Sequence, residues 1–229
     1  MTAQEILEKY DALAKSAGDG EAEHFLAEQC TGYDEAAPED LTGRAALYNE
    51  LGGFYCAAGS YEKSETSFSK AKELLDGSAE LRCSDSRAAV LENLGSLYRL
   101  TGQYDRALEQ FNAVKEIYDE VEVPHELYAA CISNIGQVYL DAGQAEEAEE
   151  FFRGALAIAQ TEPADELMMG TSLGGMASAR LLRGDAAGAA ELLRRAGAHF
   201  NVLGGQYTEA GEYFITTADE LEGIGNEGA

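Results

Sequence analysis

The amino-acid sequence predicts an all-α protein built from repeated helix pairs, and three observations support this fold class. Residues 91–114 contain two amphipathic helical patterns separated by Gly102. The pattern recurs along the chain, and no alternating strand pattern competes with it. The residues that define it are Leu91, Leu94, Gly95 and Tyr98 in a first helix, called helix A, and Tyr104, Ala107, Phe111 and Val114 in a second, called helix B.

The interval between copies of this pattern is nearly constant. The small residue that follows the large apolar residue of helix A is Gly52, Gly95, Gly136 and then Ala177, at separations of 43, 41 and 41 residues. Four copies at one period indicate a repeat protein. A small residue on helix A lets helix B approach closely, and glycine at the bend between them permits a backbone conformation that other residues resist. The bend glycines are Gly59, Gly102, Gly143 and Gly184.

We expect one elongated domain, because stacked repeats share a continuous core. Its predicted segments are a degenerate N-terminal capping pair at 1–40, repeats at 41–83, 84–123, 124–162 and 163–203, and a C-terminal capping helix with a mobile tail at 204–229. In the first segment, helices are predicted at 2–17 and 21–30, with 31–40 as a polar connector. The last helix is predicted at 207–221. Ser84 is a candidate helix cap, and Pro124 and Pro163 are candidate first-turn residues.

The repeated residues resemble the signature of the tetratricopeptide repeat family, Leu-Gly-x-x-Tyr followed by Ala, Phe and Ala. The family's usual period is about 34 residues, so these copies have additional residues at the joins. The third copy, from Pro124, is similar to the longer repeats of kinesin light chains and many bacterial regulators. The resemblance covers residues 45 to about 200 and weakens where Arg180 replaces the expected Tyr. It implies an α-solenoid of stacked antiparallel helix pairs, a right-handed superhelix with helices A on the concave side.

The net charge limits the classes of partner. The chain carries 42 acidic and 16 basic residues, for a formal charge of -26. DNA, RNA and anionic membranes would be repelled, so we expect a neutral or basic protein or peptide partner. The alternative is that the acidic residues only keep the surface soluble.

Other classes of function have little support in the sequence. The N-terminus has no apolar signal segment, and no stretch is long enough to span a membrane, so we expect a cytoplasmic protein. The four cysteines form no CxxC pair and the three histidines are scattered. We therefore expect reduced thiols and neither a metal nor another cofactor. The sequence contains no recognisable set of catalytic residues, so we predict that the protein is not an enzyme.

A helical wheel places an outward strip on each helix A, and its residues are mostly small and uncharged. The four copies contribute Ala46, Glu50, Gly53 and Ala57; Ala89, Asn93, Ser96 and Leu100; Ala130, Asn134, Gln137 and Asp141; and Thr171, Gly175, Ser178 and Leu182. Such a surface lets a ligand backbone come close.

Asn93 and Asn134 occupy the same position in consecutive repeats, and an amide both donates and accepts hydrogen bonds. The resemblance to long-repeat proteins implies that they hold an extended ligand by its backbone. The alternative is that they cap a helix, face solvent or bond to a neighbouring repeat. Further candidates for the binding surface are Gln137, Ser96, Asn49, Ser178 and Arg99. Arg99 and Arg180 are expected to be isolated cations near its edge, with a surface salt bridge as the alternative for Arg99.

These observations predict a non-enzymatic adaptor or scaffold that binds a peptide or protein in its concave groove. The positions that would hold a chaperone's C-terminal carboxylate carry Asn49, Ala130 and Asn134 instead of basic residues, which disfavours that binding mode. One alternative is an intracellular peptide-sensing regulator that acts through a protein partner. Another is a structural subunit that forms a homodimer.

Overall fold

The computed structural model describes residues 1–16, 19–161 and 163–227, and this part of the chain contains eleven α-helices and no strands. The helices are α1 Ala3–Ser16, α2 Asp19–Ala36, α3 Leu41–Ala57, α4 Tyr61–Asp76, α5 Asp85–Leu100, α6 Tyr104–Glu120, α7 His125–Asp141, α8 Ala145–Ala159, α9 Glu166–Leu182, α10 Ala186–Leu203 and α11 Thr208–Glu227. Short 3₁₀ turns lie at Ala79–Leu81 and Gly205–Tyr207. The predicted all-α class is confirmed.

The chain forms two compact units, Met1–Val121 and Glu122–Ala229. The first contains α1 to α6 and the second α7 to α11. The boundary lies within three residues of the join predicted between the second and third repeats. The single elongated domain, the handedness of the superhelix and its concave side stay predictions.

Within each unit, sequential helices pack as pairs and the pairs stack. In the first unit α1 packs on α2, α3 on α4 and α5 on α6, while α3 also contacts α1 and α5. In the second unit α7 packs on α8, and α10 packs on both α9 and α11. The predicted bend glycines are confirmed, because Gly59, Gly102, Gly143 and Gly184 have φ of 72°, 73°, 79° and 80°, a region that favours glycine.

The small residue of helix A allows the close approach that the sequence predicts. A Cβ atom added to Gly52 would lie 2.5 Å from the ring of Phe68 on α4, and one added to Gly95 would lie 2.9 Å from the ring of Phe111 on α6. Both phenylalanines are fully buried. These glycines therefore bring helices A and B together around an aromatic core.

Several predicted boundaries are wrong. α2 continues to Ala36, so residues 31–36 are helical rather than a connector, because Tyr33 continues the buried stripe of Leu26 and Cys30. α9 begins at Glu166 with Asp165 as its cap, so Pro163 precedes the first turn.

The C-terminal helix reaches Glu227, well past the predicted end at 221. Residues 222–227 therefore continue the helix, the mobility of the tail stays a prediction, and residues 228 and 229 lie outside the described part. α2 begins at Asp19, ahead of the predicted start at residue 21, and residues 17 and 18 lie outside the described part. The cap predicted at Ser84 agrees with the structure, because Ser84 accepts the backbone N–H of Arg87 at 3.2 Å. Pro124 directly precedes α7, one position ahead of the predicted first turn.

Candidate functional site

The outward strips of the helices A are largely exposed, as the wheel predicts. In α5, Ala89, Ser96 and Leu100 are exposed, and in α9, Thr171, Ser178 and Leu182 are exposed. The position shared by Glu50, Asn93, Asn134 and Gly175 is half-buried in every copy, and Ala46, Ala130 and Gln137 are half-buried as well. Side chains at this position are therefore partly covered by neighbouring groups of the chain.

Asn93 makes a hydrogen bond to the preceding repeat. Its Nδ2 donates to Oδ1 of Asn49 at 2.9 Å, which joins α5 to α3. This matches the alternative in which the asparagine bonds to a neighbouring repeat. The bond leaves the carbonyl oxygen of Asn93 and the amino group of Asn49 without another partner among the described residues. The pair thus still presents one acceptor and one donor side by side, as the backbone of an extended peptide requires.

Asn134 differs from Asn93, because its side chain makes no hydrogen bond to any described residue. Nearby, Gln137 donates from Nε2 to Oδ1 of Asp141 at 2.7 Å, so that amide is held by its own helix. Asn134 keeps its full hydrogen-bonding capacity for a ligand or water.

The remaining candidates have varied surroundings. Ser96 is exposed on α5. Ser178 donates its hydroxyl to the backbone oxygen of Gly174 at 3.1 Å, which leaves it without a proton to donate to a ligand. Arg99 is half-buried and interacts with another group of the chain, so it is not an isolated cation.

Arg180 is not isolated either, and its environment is a charge network that the sequence did not indicate. Glu149 on α8 is buried, with a side chain only 7% exposed. Its carboxylate lies 3.1 Å from Arg153, 3.4 Å from Arg180 and 3.2 Å from Arg183. Arg180 also lies 3.5 Å from Asp185. Three arginines thus offset the cost of burying one carboxylate.

A carboxylate belongs to the strip in the first unit. Glu50 on α3 occupies the position of Asn93, and burial, with a smaller effect of Asp11, raises its pKa above the ordinary value. Glu50 therefore loses its negative charge at a higher pH than an exposed glutamate does.

A surface cavity of the first unit lies away from the strip. It has a volume of about 530 Å³ and is lined by residues that include Arg82, Cys83 and Glu120. The Cys83 thiol donates to Glu120 at 2.8 Å, and this hydrogen bond is the main cause of its raised pKa. A protonated thiol is a poor nucleophile, so this cavity does not suggest covalent catalysis.

No cluster of ligating side chains that could hold a metal ion occurs in the described ranges. Among the helices of residues 1–16, 19–161 and 163–227, none combines the length and apolar character needed to cross a membrane.

The stacked pairs, the bend glycines and the glycine-to-phenylalanine contacts are the features of one repeat family. The sequence matches the tetratricopeptide repeat family at residues 43–120, 86–161 and 128–201. The chain belongs to the tetratricopeptide repeat family. No curated protein matches the sequence.

Solved structures show the same fold. The nearly identical TPR-like repeats of a Podosopora anserina putative kinesin light chain give a TM-score of 0.73 at 22% identity, with 86% of this chain and 93% of that chain covered. BtubC (BKLC) from P. vanneervenii gives 0.76 at 19% identity, covering 88% and 81%. The apo form of RapI gives 0.72 at 16% identity, covering 94% and 81%. The tetratricopeptide fold with long repeats is thus shared with these proteins.

Proposed function

We propose that this protein is a non-catalytic adaptor or scaffold that binds a protein or peptide through the outward faces of its helices A. The observation that carries the proposal is the contrast between these faces and the rest of the surface. The faces consist mostly of small, uncharged side chains with half-buried amides, whereas the chain as a whole has a charge of -26. A surface with few charges and with hydrogen-bonding amides suits close contact with a polypeptide backbone.

Asn93 and Asn134 are the residues that we propose to hold the ligand backbone. The Asn93 and Asn49 pair supplies one donor and one acceptor, and Asn134 supplies both. In a desolvated contact, loss of either asparagine side chain removes about 1–3 kcal/mol of binding free energy. The partner is neutral or basic, because a nucleic acid or an anionic membrane is repelled by the negative charge.

Affinity capture from the host's lysate, followed by mass spectrometry, tests this proposal. Wild type is compared with an Asn93→Ala, Asn134→Ala double variant and with Asn112→Ala, which removes an exposed asparagine on α6, a helix B. Circular dichroism confirms that all three are folded. The expected result is a partner retained by wild type and Asn112→Ala and lost by the double variant. A partner held equally by all three places the binding surface elsewhere.

A further inference from the structure

The surface cavity beside Cys83 carries two opposite charges that the fold does not use. Its volume of about 530 Å³ is within the range of small-molecule sites. The cavity lies between the end of α4, the join that leads to α5, and one side of α6. Five of the side chains that line it are charged, and their partners decide what the cavity can bind.

Three of these five charged groups already have partners. Asp76, at the end of α4, accepts a hydrogen bond from Arg87 of α5 at 2.7 Å. Arg87 also donates to the backbone oxygen of Arg82 at 3.2 Å, which holds the join against α5. Glu120 of α6 accepts the thiol proton of Cys83 at 2.8 Å. These contacts therefore fix the walls of the cavity and use up their own charges.

The other two charged groups, Arg82 and Glu116, have no partner among the residues that the structure describes in the first unit. Both side chains are exposed and both line the cavity, yet they do not form an ion pair with each other. The chain has only 16 basic residues against 42 acidic ones, so an arginine without an acidic partner is unexpected. Each of the two groups keeps its hydrogen-bonding capacity for a ligand or water.

α6 adds apolar contacts next to Glu116. Ala113, Glu116, Ile117 and Glu120 are spaced at i, i+3, i+4 and i+7, which places them on one side of the helix. Ala113 is half-buried and Ile117 is buried. The cavity thus combines an apolar wall with one unpaired cation and one unpaired anion.

This combination disfavours ligands of a single charge. Glu116 repels an anion such as phosphate, and Arg82 repels a metal ion or an organic cation. A ligand with both charges satisfies both residues, because a guanidinium donates two parallel hydrogen bonds to a carboxylate and a carboxylate accepts from an ammonium group. We propose that this cavity binds a small zwitterion, an α-amino acid or a dipeptide with an apolar side chain, through Arg82 and Glu116. The site is separate from the peptide-binding faces of the proposed function.

Isothermal titration calorimetry of the full chain tests this assignment with four probes. Leucine and the dipeptide leucyl-leucine carry both charges, 4-methylpentanoate lacks the ammonium group, and leucinamide lacks the carboxylate. We expect at least one of the two zwitterions to bind, and each single-charge analogue to bind at least tenfold more weakly, because a charged hydrogen-bonded contact is lost. The tighter of leucine and leucyl-leucine distinguishes a free amino acid from a dipeptide.

Two substitutions locate the site. Arg82→Gln and Glu116→Gln should each raise the Kd of the zwitterion at least tenfold. The matched controls, Arg195→Gln on α10 and Glu150→Gln on α8, change exposed residues of the second unit and should leave it unchanged. Circular dichroism confirms that the variants are folded. The zwitterion should also raise the urea unfolding midpoint of wild type but not of Arg82→Gln, because a ligand that binds only the folded chain stabilises it.

Three results would overturn the assignment. They are the absence of binding by both zwitterions, equal binding of a single-charge analogue, and a Kd that neither Arg82→Gln nor Glu116→Gln changes. The asparagines of the proposed peptide surface take no part in these measurements, so each outcome is independent of the proposed function.

Discussion

Adjacent glycines in α3 provide a direct test of the packing argument. Gly52 faces Phe68, and an added Cβ would lie 2.5 Å from one ring carbon and 2.6 Å from another. Gly53, the next residue of the same helix, has no atom within 4 Å of an added Cβ. Replacing glycine by alanine inside a helix stabilises it by about 1 kcal/mol, so this gain is common to both substitutions.

The difference in the free energy of unfolding between the two variants measures the steric clash between the added methyl group and the ring of Phe68. Carbon atoms in contact are normally about 3.5–4.0 Å apart, so the Gly52→Ala methyl overlaps the ring by about 1 Å. Phe68 is 2% exposed and is enclosed by the core. Overpacking of this kind costs about 1–3 kcal/mol. We therefore expect Gly53→Ala to be more stable than wild type by about 1 kcal/mol, and Gly52→Ala to be less stable than Gly53→Ala by about 1–3 kcal/mol.

Urea unfolding followed by far-UV circular dichroism measures this difference. Because repeat proteins can unfold in more than one step, the comparison uses the unfolding midpoints of the two variants, with their slopes as a check. Equal midpoints for Gly52→Ala and Gly53→Ala, or a higher midpoint for Gly52→Ala, would refute the explanation of the glycine by close helix packing.

Two further predictions concern charged side chains, Glu149, which is buried, and Asp34, which is half-buried. Glu149→Gln should destabilise the fold by about 1–3 kcal/mol in the same assay, because it removes the carboxylate that three arginines share, whereas the exposed neighbour Glu150→Gln should change it by less than about 0.5 kcal/mol. Burial disfavours the charged form of Asp34, but hydrogen bonds from Arg44 and Tyr48 outweigh it, so its pKa lies below the ordinary value. A lowered folded-state pKa stabilises above the unfolded pKa, so this contribution is lost as the pH falls below about 4. Unfolding midpoints at pH 7 and pH 3 should differ less for Asp34→Asn than for wild type, and an unchanged difference would contradict the assignment.

The repeated core could be predicted from the sequence because its determinants are local. Gly102 takes a left-handed conformation at the bend, and Gly95 meets the ring of Phe111 sixteen residues later. Both signals lie within one repeat. The end of α2 was missed because Gly32 and the polar residues around it favour a connector, whereas burial of Tyr33 against the core continues the helix to Ala36.

The candidate site could be predicted only in part. Helical spacing correctly placed Ser96 and Ser178 on an exposed side, because the angle around a helix axis follows from the sequence. Helical spacing could not show which side chains of a neighbouring helix lie within hydrogen-bonding distance. The hydrogen bond between Asn93 and Asn49 depends on the stacking of α5 against α3, and the two residues stand at different positions of their repeats. The role of the asparagines in ligand binding stays a prediction.

Two of the joins between repeats contain the same ion pair, which the sequence pattern alone does not indicate. At the first join Lys63 lies 3.3 Å from Glu23, and at the second Arg106 lies 2.6 Å from Glu65. Glu23 and Glu65 stand at the same position of their helices B, and in both cases the cation comes from helix B of the following repeat. Arg106 also lies over the ring of Tyr98, 3.8 Å from its centre. The tyrosine of the repeat signature thus supports the cation that joins one repeat to the next.

In the fourth copy, where Arg180 replaces the tyrosine of the signature, the cation of the ion pair comes from a different helix. Glu149 is the equivalent acid on α8, but the residue that corresponds to Arg106 is Gly188, which carries no charge. The cation is supplied instead by helix A, from Arg180, which stands where the other copies have tyrosine and lies 3.4 Å from Glu149. The fourth copy thus lacks both the tyrosine and the helix B cation, whereas the third copy keeps Tyr139 although Glu147 stands at the position of the cation. The weak match of this copy to the family signature therefore accompanies a change in the helix that supplies the cation, while the ion pair with the preceding repeat is retained.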